Sequence, residues 1–92
     1  MKNKEFILCA ALWFNNTIVC GYRHSNCYEI IKSLIPNIND NELPGRENQG
    51  FLTSLNRYVN RSEGFIIAKT NNQIIHNFYN ENEGILTSED LY

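Results

Sequence analysis

The apolar residues come first in one short block and then in separated, patterned groups. Phe6-Ile7-Leu8-Cys9-Ala10-Ala11-Leu12-Trp13-Phe14 is an unbroken apolar run. At this length, and with aromatic and aliphatic residues mixed, it reads as a strand buried on both faces. Asn15-Asn16 follows, and asparagine tolerates the left-handed backbone that a tight hairpin turn needs. Residues 17–22 then supply the partner strand, so the chain is expected to open with a β-hairpin.

From residue 26 the period changes. Asn26-Cys27-Tyr28-Glu29 has the spacing of a capping box, and Cys27, Ile30, Ile31 and Leu34 fall on one helical face. Pro36 closes this first helix. Residues 37–49 carry Pro44, Gly45 and many polar side chains and read as an exposed loop. Gly50-Phe51-Leu52-Thr53 reads as a short strand, with Tyr58-Val59 a second. Asn60-Arg61-Ser62-Glu63 repeats the capping-box spacing and opens a second helix to about residue 71. Gly64 costs that helix up to ~1 kcal/mol relative to Ala, so close approach of a neighbour is one reason for it. Residues 73–78 are ambiguous, 80–84 form a loop, and 85–92 include a short strand. The expectation is a single α+β domain over 1–92: a small antiparallel sheet opened by an N-terminal hairpin, with two amphipathic helices.

Composition narrows the function. The chain has 92 residues, 42% hydrophobic and 20% charged. A core of this size is marginal, and oligomerisation is a common remedy, so a homo-oligomer is expected. Eight Lys and Arg against ten Asp and Glu give a net charge of −2. That balance argues against a binder of polymeric nucleic acid, which needs a basic stripe to neutralise phosphates. The lysines before the first apolar run faintly mimic a secretion signal, but the run is short and lacks a small-residue cleavage pattern. Nothing approaches the roughly 18 apolar residues of a membrane span, so a cytoplasmic location is expected.

Cys9, Cys20 and Cys27 cannot all pair within one chain. Cys20, His24 and Cys27 have metal-compatible spacing, but only one close pair is present and Cys9 sits mid-strand, so no metal is expected. Cys27 with His24 would make a nucleophile and base if the helix start lowered the thiol pKa; no third, orienting group accompanies them. The better-populated constellation is basic. Arg23 and His24 precede the first helix, and Arg57 and Arg61 flank the start of the second. Helix starts offer unsatisfied N–H groups to phosphate or carboxylate, and Arg adds a matching planar fork. Phe51 and Tyr58 lie near in sequence and offer faces for a base. The plainer alternative pairs these arginines with Glu29, Glu47 and Glu63 on the surface. No acidic pair is spaced for acid–base catalysis, and His76 reads as structural or exposed.

Three segments together resemble a family of small phage and prophage proteins. They are Cys20-Gly21-Tyr22-Arg23-His24, then 48–54 with Asn56-Arg57-Tyr58-Val59-Asn60-Arg61, and finally Leu86-Thr87-Ser88-Glu89-Asp90-Leu91-Tyr92. The chain is similar in these to the first family of Thoeris anti-defence proteins, sponges for cyclic ADP-ribose isomers made by TIR-domain defence enzymes. Some members also hold cyclic oligonucleotides at a separate site. The resemblance implies a binder, not an enzyme, that needs no cofactor. It would hold a diphosphate with Arg23, Arg57 and Arg61, stack adenine on Phe51 or Tyr58, and reach hydroxyls with polar side chains such as His24, Thr53 and Asn56. The rival expectations are a nucleotide-acting enzyme using Cys27 or His24, and a protein-interaction module that blocks a host factor.

Overall fold

The computed structural model describes residues 4–75 and 84–91. Strand β1 (Ile7–Phe14) and strand β2 (Thr17–Gly21) form the expected opening hairpin. Asn15 and Asn16 both take positive φ, 49° and 59°, which is the turn whose twist matches a two-residue hairpin. Helix α1 (His24–Leu34) follows, then a loop, strand β3 (Gln49–Thr53), strand β4 (Tyr58–Asn60) and helix α2 (Arg61–Thr70). The four strands form one antiparallel sheet in the order β2-β1-β3-β4.

Both helices lie on one face of this sheet. Ala10, Leu12, Phe51 and Val59 alternate onto that face and pack with Cys27 and Ile31 of α1 and Phe65 and Ala68 of α2. The opposite face carries Cys9, Ala11, Trp13, Ile18, Cys20, Leu52 and Tyr58 by the same alternation. The expectation that 6–14 is buried on both faces is therefore corrected. Ala10, Ala11 and Leu12 are fully buried, but Trp13 is exposed on the helix-free face, and Leu8 is exposed at the bulge where the pairing with β3 shifts between Ile7 and Cys9.

Helix α1 begins earlier than the capping-box reading of Asn26. Arg23 is the N-cap, and Asn26 instead turns its Oδ1 back to accept from the Arg23 N–H at 3.1 Å. Helix α2 starts as its sequence signals, with the Asn60 side chain accepting from the Glu63 N–H at 2.8 Å. Gly64 is buried where a Cβ would stand 3.0 Å from Cδ2 of Phe51 and 3.5 Å from Cδ2 of Leu86. The close approach that it permits is to side chains, not to another backbone.

The loop over 37–49 is less exposed than its composition suggests. Pro44 is buried, Ile38 and Leu43 rest against the core, and the Tyr28 hydroxyl donates to the Pro44 carbonyl at 2.6 Å. No strand occurs in 84–91. Instead Leu86 enters the core, its N–H donating to the Arg61 carbonyl at 3.1 Å, and a 3-10 turn spans Ser88–Asp90. His76 and most of the loop expected over 80–84 lie outside the described residues.

Candidate functional site

The strand order decides which of the basic residues meet. β2 and β4 are the outer strands and run in opposite directions, with β1 and β3 between them. The register sets Gly21, the last residue of β2, in the row of Ala10, Phe51 and Val59, and Asn60, the last of β4, in the next row with Gly50, Ala11 and Cys20, so the two helices start from the two edges of the sheet at nearly the same level. Of the grouped residues, His24 reaches from the first helix start to Gly50, which pairs with Asn60, the cap of the second.

At the first helix start, the Arg23 guanidinium lies 5.2 Å from the centroid of the Tyr22 ring. His24 is a fastening between helix and sheet. Its Nε2 hydrogen-bonds the Gly50 carbonyl at 2.8 Å, and its ring meets the edge of Phe51 at 5.2 Å. Phe51 itself is fully buried among His24, Gly64 and Leu86. A base cannot stack on it without opening the core, and the adenine-stacking expectation for Phe51 is corrected accordingly. Cys27 is also fully buried, its Sγ 3.7 Å from the Ala10 carbonyl, and burial pushes the thiol up to about 12. That direction is opposite to the activation of a nucleophile. Burial, with the neighbouring Cys20 thiol, likewise raises Cys9 to about 11. Among the described residues no three His, Cys, Asp or Glu side chains converge as metal ligands.

Arg57 is committed to carboxylates. Its Nε and Nη2 donate to the two oxygens of Glu5 at 2.7 and 2.9 Å, and Nη1 lies 3.1 Å from Glu63. The fork, assisted by the Thr53 hydroxyl donating to Glu5 at 2.6 Å, holds the Glu5 carboxyl at about 2 and raises Arg57 in turn. Glu63 was among the partners weighed from sequence; Glu5, 52 positions away, was not. Thr53 is fully buried under this pair, and its Oγ1 also accepts from the Leu55 N–H. Asn56, at φ 62°, makes the left-handed turn between β3 and β4. These three positions are accounted for by the fold.

Tyr58 and Arg61 differ. Gly50 lacks the side chain that would sit 2.6 Å from Cζ of Tyr58, so the Tyr58 ring lies over β3 and reaches Trp13, ring centroids 5.7 Å apart. The Tyr58 hydroxyl is buried and has no hydrogen-bond partner among the described residues. Burial pushes its pKa up, and the nearby Arg61 charge pulls the other way. Arg61 is the first residue of α2, and its guanidinium makes no ion pair or hydrogen bond among the described residues. Trp13, 39% exposed, completes the group. Trp13 and Gly50 were not picked out from sequence. A glycine inside a strand pattern is the signal that marks such a close approach.

The arrangement offers a cation at a helix start, a buried hydroxyl without a partner among the described residues, and a partly exposed indole against the ring that carries that hydroxyl. No helix among the described residues is long and apolar enough to cross a membrane. No curated protein and no solved structure matches the chain. The family described as phage T4 y16D protein matches residues 6–92, and the chain belongs to that family.

Proposed function

Starting from membership of a phage protein family, we propose that this chain binds and sequesters a small anionic nucleotide without cleaving it, specifically a cyclic ADP-ribose isomer made by TIR-domain defence enzymes. The observation that carries the reading is the Tyr58–Arg61 pair: among the described residues, a buried hydroxyl without a partner lies within electrostatic reach of a guanidinium that also has none, at the start of a ten-residue helix. An unsatisfied buried polar group costs on the order of 1–3 kcal/mol, which an oxygen-rich ligand would recover. Phosphate oxygens would face Arg61 and the α2 amides, the geometry that suits an anion. The exposed indole of Trp13 takes the stacking role, since Phe51 lies in the core. Arg57 serves this site only indirectly, through Glu63 in the first turn of α2. Sequestration needs affinity and abundance, not hydrolytic groups, and the raised thiols of Cys9 and Cys27 fit that demand.

Calorimetric titration with cyclic ADP-ribose isomers tests the proposal, paired with Arg61→Ala. The expected result is tight binding by the native protein and a loss of at least about tenfold in the variant, the scale of one charge-assisted contact. Equal binding by both proteins would remove Arg61 from the site. A second reading, a module that blocks a host protein, is favoured by the half-exposed apolar residues on the helix-free sheet face. It expects indifference to every nucleotide.

A further inference from the structure

The two edges of the sheet are protected very differently. β4 is three residues long and is bracketed by Arg57 and Arg61. Short length and flanking charge are the usual defences of an edge strand. β2 has neither. Its five residues, Thr17-Ile18-Val19-Cys20-Gly21, contain no charge, no proline and no bulge in their pairing with β1. The hairpin turn closes on the pair Phe14 and Thr17, so Thr17, Val19 and Gly21 turn their N–H and C=O groups towards β1. Those of Ile18 and Cys20 point outwards.

The helix above this edge carries a matching wall. On α1, Tyr28 faces the β3 side, where its hydroxyl meets Pro44 and Gln49. Ile30 lies on the opposite flank, above β2, and Leu34 follows one turn later. Both are exposed, Leu34 by 74%.

We propose that β2 is the interface through which two copies of this chain pair, edge to edge and antiparallel, about a two-fold axis at Val19. In that register the outward groups of Ile18 meet those of the partner's Cys20, and Cys20 meets the partner's Ile18. Val19 faces its own copy on the helix-covered side, extending the core across the axis, and the two α1 helices lie side by side over the junction. The choice of a second copy rests on area and symmetry. A five-residue edge alone falls well short of the roughly 1,200–2,000 Å² of a stable interface. Only a partner that brings its own apolar helix flank covers Ile30 and Leu34 as well, and an isologous pair does so by construction. An extended peptide would satisfy the backbone and leave that flank bare.

Sedimentation velocity on the full chain, with two variants, tests this. Leu34→Glu changes an exposed position and leaves the monomer core intact. Ile18→Pro removes an outward N–H and spares the ladder to β1. The native protein should sediment as a dimer at micromolar concentration, and each variant, with its native circular dichroism retained, should dissociate at least about a hundredfold more readily. A native protein that stays monomeric at about 100 µM, or a dimer that survives in either folded variant, overturns the proposal.

Discussion

Arg57 and Arg61 stand one short strand apart, yet their surroundings give them opposite roles. Arg57 is held by Glu5 and Glu63, whereas Arg61 acts on the buried hydroxyl of Tyr58 only through its charge. Two predictions belong here. The Glu5 carboxyl is lowered from 4.5 to about 2, so the unfolded chain binds its proton first. The stability that it contributes is full above pH 4.5, falls through the interval below, and is gone once pH drops past about 2. Urea midpoints measured across that interval should slope steeply in the native protein and more gently in Glu5→Gln. Tyr58→Phe removes a buried hydroxyl that has no partner among the described residues, so the ligand-free protein should lose no stability and gain up to about 1 kcal/mol. Ligand affinity should fall at the same time. A variant that is plainly destabilised would show that the hydroxyl is bonded within the chain. Asparagine has its own part at this scale: Asn15, Asn16, Asn56 and Asn72 all take left-handed backbone, with φ between 49° and 62°. What reads in sequence as a compositional bias is in part turn chemistry.

Among the elements, α2 is the one that fold and site share. Asn60 caps it, Arg61 opens it, and Gly64 lets it settle onto Phe51 and Leu86. Gly64→Ala would gain about 1 kcal/mol of helix propensity. It would also place a methyl 3.0 Å from a fully buried ring, which would have to shift to admit it. Overpacking of this kind costs about 1–3 kcal/mol, so chemical denaturation should show a net loss. A gain would mean that α2 can lift from the sheet. Asn60→Ala should cost about 1 kcal/mol through the lost cap. The N-terminal segment ties the far end of α2 to the sheet: Asn71 donates to the Glu5 carbonyl, and the Gln73 amide exchanges two hydrogen bonds with the Ile7 backbone. Most elements were legible because their signals are local. The Asn15-Asn16 turn, the Asn60 cap and the Pro36 stop each act within a few residues. The start of α1 was misplaced by the same logic, since Asn26 makes the backward half of a capping box and not the forward half.

At the scale of the whole molecule, the sheet order does what local sequence cannot foretell. It carries Phe51 into the core and lays Tyr58 over Gly50 against Trp13. Of the contacts expected from sequence, Tyr58 and Arg61 come together, while Thr53, Asn56 and Arg57 are taken up by Glu5, a turn and an ion pair. Partners 52 residues apart, such as Arg57 and Glu5, leave no periodic trace to read. On the proposed function, the site at Tyr58 and Arg61 holds a cyclic ADP-ribose isomer intact. The most direct measurement incubates the purified protein with such isomers, removes unbound material, denatures the protein and identifies what is released by chromatography. Unaltered nucleotide is expected in amounts comparable with the protein, and little from Arg61→Ala. Recovery of a cleaved product, or of no nucleotide at all, would contradict it.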